Sequence, residues 1–151
     1  MALDTQGRTT RAPESETRRA VMNDRGTAEA AGSMRAVVQR AYGGPELLRI
    51  ESVARPTPGP DEVLVRIRAA AVSVGDVHVL TGTPYLIRCF FGLRRPKHPI
   101  PGMAFSGVVE TVGDAVDDLQ AGDAVIGELD TGGAFAEYLA VKADALARKP
   151  E

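Results

Sequence analysis

The sequence predicts a mainly β fold with short helices, arranged as a partly open β-barrel. Three observations predict it. Sixteen glycines and ten prolines punctuate a chain of 151 residues, a composition that favours turns and short strands over a helical bundle. In Glu62-Val63-Leu64-Val65-Arg66-Ile67-Arg68, Val63, Val65 and Ile67 fall on one face of a strand and Arg66 and Arg68 on the other. The stretch from Ile100 to Gly127 reads as strand, turn and strand. Ser106 to Val112 is rich in small and β-branched residues, as a closely packed barrel strand requires. Gly113-Asp114 turns the chain, Val116 and Leu119 point inward from an acidic loop, and Gly122-Asp123 leads into the buried run Ala124-Val125-Ile126.

The totals bound the rest. A chain of this length is one domain, with room for a tail, and 44% hydrophobic residues suffice for a core. A net charge of −2 gives no reason to expect nucleic acid or an anionic membrane as partner. The single cysteine, Cys89, excludes an intrachain disulfide and fits a reducing, cytoplasmic compartment. No apolar run approaches the ~18 residues of a spanning helix.

Residues 1–33 carry five arginines and five acids and no stretch able to bury a face, so they are expected to be a disordered extension. Arginine, serine and threonine would suit a transit peptide, but the acids argue against one. The folded pattern is expected over 34–151, and Met34 is a candidate start. Met34 to Tyr42 reads as a strand, Gly43-Gly44-Pro45-Glu46 as a turn, and Leu48 and Ile50 alternate with Arg49 and Glu51 in a second strand. Pro56 to Pro60 is a stiff loop, after which Ala69 to Val72 are expected to carry the Glu62 strand inward. Ser73 to Gly82 predicts a short helix or turn and residues 83–99 a loop. Ala134 to Val141 predicts the last strand.

The residues of the central hairpin, G-V-V-x-x-V-G-x-x-V-x-x-L-x-x-G-D-x-V, resemble the N-terminal, GroES-like domain of the medium-chain dehydrogenase/reductase family, in its zinc-free branch of quinone oxidoreductases and related alcohol dehydrogenases. The resemblance covers roughly residues 34–151 and implies a GroES-like partly open barrel. For a complete enzyme it implies NADPH-dependent hydride transfer to a quinone, an enone or a carbonyl. Such chemistry needs a nicotinamide cofactor whose pyrophosphate sits on a glycine-rich turn. No G-x-G-x-x-G and no P-loop occur in these residues. In the family that fingerprint lies in a following Rossmann domain, so the chain is expected to be the substrate-side half, with little activity alone. Its partner is then the missing Rossmann domain, or a second copy through an exposed apolar strip. The rival readings are a non-enzymatic binding or scaffold module and a truncated product.

Site candidates follow from the resemblance and the residues together. Zinc-dependent relatives place cysteine at the position of Ser73 and Gly-His-Glu where this chain has Gly102-Met103-Ala104. Serine is a poor zinc ligand, Met-Ala supplies neither imidazole nor carboxylate, and Cys89, His78 and His98 lack paired spacing, so no metal is expected. His78 follows Asp76 by two, as in the family's Asp-x-His pattern. It is the catalytic candidate, either a proton relay or a rim histidine that only bonds its neighbours. Ser73 and Asp76 are the cofactor-binding candidates, although zinc-free relatives often carry asparagine at the position of Ser73 and Asp76 equally suits a helix N-terminus. Tyr85, Phe90 and Met103 are candidates for a pocket taking a flat substrate, with Phe91 beside them. Arg94, Arg95 and Lys97 either attract a cofactor phosphate or form a solvated charge run.

Overall fold

The computed structural model describes residues 32–150. The extension expected over 1–33 therefore lies almost wholly outside the described residues, and strand β1 already begins at Ser33. The strands are β1 (Ser33–Val38), β2 (Arg49–Ala54), β3 (Glu62–Ala71), β4 (Ala104–Val112), β5 (Ala124–Glu128), β6 (Tyr138–Lys142) and β7 (Leu146–Arg148). Two helices, α1 (Val74–Thr81) and α2 (Ile87–Phe91), lie between β3 and β4. The α2 turn was not expected within the 83–99 loop, and β7 was not expected after the last strand. Both are too short to show a period.

A five-stranded antiparallel sheet runs in the order β6-β3-β4-β5-β7, and β1 and β2 pair separately. An isolated bridge between Ala36 and Ala136, with Val37 N–H donating to the Phe135 carbonyl and Glu137 N–H to the Arg35 carbonyl, ties β1 to the approach of β6. The sheets thus curve into a barrel that does not close. This is the predicted fold class.

The core is Val63, Val65, Phe105, Val109, Leu119, Val125, Ala134 and Val141. Val63 and Val65 are wholly buried, as alternation demands, and Leu64 on the opposite face is buried too. The expectation that Ala69 to Val72 continue inward is corrected: Ala69, Ala70 and Ala71 are exposed and Val72 is 75% exposed. The end of β3 outruns the core there, so small side chains face an open cleft. Ala124 and Ile126 are likewise exposed around the buried Val125, because β5 alternates.

Glycines set how tightly the strands approach. A Cβ on Gly113 would lie 2.1 Å from the Gly59 carbonyl oxygen and 2.3 Å from that of Pro60, and one on Gly107 would lie 2.5 Å from the Arg66 oxygen. Gly113 N–H donates to Glu62 and Ala115 N–H to Pro60, so the turn after β4 is laced directly to the loop before β3. Gly113→Ala is expected to lower stability by about 1–3 kcal/mol, the range for overpacking against an unyielding neighbour. Urea unfolding checks it, and an unchanged midpoint would contradict this packing.

Candidate functional site

Helix α1 is built by its first residue. Ser73 is the N-cap in extended conformation, and its hydroxyl oxygen accepts from Asp76 N–H at 3.3 Å. The Asp76 carboxylate returns the contact: its Oδ2 accepts from Ser73 N–H at 2.7 Å and from Ser73 Oγ at 2.8 Å. This reciprocal capping box satisfies donors that a helix start otherwise leaves unpaired. Gly82, left-handed at φ 64°, closes the other end with its N–H on the His78 carbonyl.

Asp76 is only 5% exposed, and its Oδ1 is buried without a hydrogen-bond partner. In the structure the carboxylate caps α1. Ser73 is exposed, but its proton is committed to Asp76 and one lone pair to Asp76 N–H. Its hydroxyl therefore faces solvent as an acceptor only.

His78 lies two residues beyond Asp76, about 200° round the helix, so the two side chains are not brought together. His78 is exposed, and its Nδ1 lies 2.8 Å from the Thr83 carbonyl oxygen. A carbonyl only accepts, so the neutral ring must carry its proton on Nδ1. That leaves Nε2 with a free lone pair.

The pocket candidates separate into two groups. Met103 is half-buried, and its sulfur would lie 3.5 Å from a Cβ on Gly75, placing it against the first turn of α1. Tyr85 and Phe90 are each 73% exposed beyond the other end of the helix, where the Arg88 guanidinium sits over the rings of Tyr85 and Tyr42. Burial pushes the Tyr42 phenol up, opposed by the Arg88 charge, and its hydroxyl donates to the Gly92 carbonyl at 2.6 Å. Among the described residues, no three His, Cys, Asp or Glu side chains gather as a metal-binding group.

An apolar cleft of about 680 Å³ is walled by Leu48, Ile50, Ile67, Val72 and Phe135, with Arg35 and Glu137 among its lining. Phe135 joins the cleft to the site: Gly102, at φ 96°, packs so closely that a Cβ would fall 2.4 Å from the ring. Sequence reasoning missed Phe135, reading it as one position in a strand. The usable signal was an aromatic two residues after the paired Gly132-Gly133.

The Alcohol dehydrogenase GroES-like domain matches residues 59–151. This chain belongs to that family. It is 35% identical over 107 residues to the quinone oxidoreductase of Lama guanicoe, covering 70% of this chain and 30% of that protein. It is 33% identical over 146 residues to the chloroplastic NADPH-dependent alkenal/one oxidoreductase of Arabidopsis thaliana, covering 91% and 36%. Among solved structures, the human synaptic vesicle membrane protein VAT-1 homolog-like protein superposes with a TM-score of 0.69 at 31% identity, over 79% of this chain and 35% of that one. The chain spans about a third of the length of the relatives it matches. It thus corresponds to the N-terminal, GroES-like part of those relatives. No helix among the described residues is long and apolar enough to cross a membrane.

One ion pair in the cleft wall carries a pH signature. Glu137 accepts from Arg35 N–H and Nε, each at 2.8 Å, with Arg35 Nη2 at 2.6 Å. The backbone N–H first, then the guanidinium, hold the Glu137 carboxyl below its ordinary value, against partial burial. A carboxylate depressed on folding stabilises above its unfolded pKa, and that contribution disappears as pH falls through the folded one. The Tm difference between wild type and Glu137→Gln should be largest near neutrality and shrink to nothing in acid. A difference constant with pH would contradict the assignment.

Proposed function

We propose that this chain is the substrate-side wall of an NAD(P)H-dependent reductase acting on quinones, enones or related carbonyls. The observation that carries the reading is the cleft at Val72 and Phe135. It is apolar, lies beside the head of α1, and is open on one side in a chain that matches only the first third of quinone and alkenal reductases. A flat conjugated substrate suits such a wall, and the second wall belongs to what the relatives carry beyond the matched part.

The head of α1 does not fit a cofactor pyrophosphate. Its Asp76 N–H is taken by Ser73 Oγ, and the Asp76 carboxylate brings negative charge to the helix start, where it opposes a phosphate. The nicotinamide cofactor, which supplies hydride, is therefore held by the complementary part, whether as NADPH or NADH. This chain's residues act at its edge. Ser73 Oγ offers an acceptor to a cofactor hydroxyl or amide, and Asp76 fixes that hydroxyl. Met103, Val72 and Phe135 exclude water from the substrate face, while Tyr85 and Phe90 form an outer rim. His78, with Nδ1–H held by Thr83, can take a proton at Nε2 and return it as the reduced oxygen needs one. The reading involves no zinc: Ser73, Met103 and Ala104 stand where the zinc-dependent relatives carry ligands.

The experiment mixes the chain with a separately produced nucleotide-binding domain of a quinone oxidoreductase and follows NADPH oxidation with 1,4-benzoquinone. We expect no turnover from the chain alone, turnover in the mixture, and a loss of about 10²-fold in the mixture with His78→Ala, the low end for general acid–base catalysis. Turnover by the chain alone would overturn the half-site reading. No turnover in a mixture shown to associate would favour a scaffold module, and an unchanged His78→Ala rate would end the relay.

A further inference from the structure

Away from the cleft at Phe135, a second concavity of about 780 Å³ is lined by Arg40, Arg94, Arg95 and Lys97, with the exposed apolar residues Leu93 and Pro99 beside them. No aspartate or glutamate lines it, although the chain as a whole is net acidic. Arg40 is paired with Glu51 at 2.5 Å. Arg94, Arg95 and Lys97 are exposed, and their side chains make no hydrogen bond or ion pair among the described residues. Three adjacent cations without counter-charge repel one another, a cost of placement that an anion would remove.

The segment carrying them is rigidly framed. Tyr42 Oη donates to the Gly92 carbonyl at 2.6 Å, Lys97 N–H to Phe91 at 2.7 Å, and Gln39 N–H to Pro99 at 2.7 Å. Gly92 and Pro96 are buried. Gly92 adopts φ 124°, and the loop doubles back so tightly that a Cβ there would fall 2.1 Å from the Arg95 carbonyl oxygen. Gln39, 1% exposed, underlies the cleft with Nε2 donating to Ala41 and Leu80. A solvated charge run needs no such frame. The bonded backbone sets Arg94, Arg95 and Lys97 at neighbouring positions, so binding a phosphate orders their side chains without also ordering the loop that carries them.

We propose that this cleft is an anion site for a small phosphate-bearing molecule, its phosphates on Arg94, Arg95 and Lys97 and its organic part on Leu93 and Pro99. The volume lies within the ~300–1,000 Å³ of small-molecule pockets and exceeds what one inorganic phosphate fills. The cations are gathered in one concavity instead of a stripe, which disfavours a nucleic-acid backbone. The site stands independently of the reductase reading, since it uses none of the residues at the Phe135 cleft.

Calorimetric titration of the full 151-residue chain with inorganic pyrophosphate at low ionic strength tests it. Saturable binding is expected, weakened about tenfold or more in Arg94→Ala/Arg95→Ala/Lys97→Ala. It should be unmoved in Arg66→Ala/Arg68→Ala/Lys149→Ala, which removes the same charge from outside the cleft. Circular dichroism confirms that both variants fold. Competition then separates the sources. Displacement by NADPH but not by hexyl diphosphate assigns the phosphate to a nucleotide, and the reverse assigns it to a non-nucleotide ester. Absence of saturable binding, or equal weakening in both triple variants, would overturn the site.

Discussion

The structure depends on how closely β4 approaches its neighbours. At Gly107 the backbone of β3 passes where a side chain would be, at Gly113 the loop before β3 does so, and at Gly127 of β5 the Phe105 ring and the Ala145 carbonyl do so. These approaches let β3, β4 and β5 curve about a small aliphatic core, and register shifts between β3 and β4 at Leu64/Val65 and Ile67/Ala69 add to the bend. A flat sheet of the same strands would not bring Leu119 and Ala134 onto Val63, Val65 and Val125. The hairpin glycines are thus structural in their effect, and the cleft proposed for substrate lies where the curved sheet ends.

That end is the overrun of β3. Once Ala69 to Val72 pass the core, no apolar layer among the described residues covers them, and α1 begins immediately after. The capping box at Ser73 and Asp76 fixes α1 at that edge. The same bonds commit Ser73's proton to the buried Asp76 carboxylate, so the pair anchors the helix start. Gly102 then packs under the ring of Phe135, which lines the cleft. Rigid capping and an uncovered apolar wall together make the arrangement read as one side of a site.

Much of this was legible in the sequence because it rests on local patterns. The alternation in β3, the turn chemistry at Gly113 and Gly122, the extent of α1 and the inward Leu119 all follow from short-range periodicity and glycine placement. The illegible parts are those decided by tertiary contact. Ala69 to Ala71 read as buried because small residues suit crowded strands, and nothing local shows that the core stops before them. Phe135 gains its place through Gly102, more than thirty residues earlier by the numbering. The separation of Tyr85 and Phe90 from Met103 depends on α2, too short to announce itself. The Arg94 to Lys97 run reads either way in sequence, and bonds that frame its loop come from Gln39 and Tyr42, more than fifty residues earlier.

Hydrogen exchange of this chain, alone and mixed with the nucleotide-binding part of a quinone oxidoreductase, tests the central claim that its open cleft is a docking and substrate wall. The account predicts new protection confined to Ala69 to Val72, the start of α1 and the segment around Phe135, with the β5–β7 edge unchanged. Protection at Ile126 and Ala147 instead, or none anywhere in a mixture shown to associate, would contradict it.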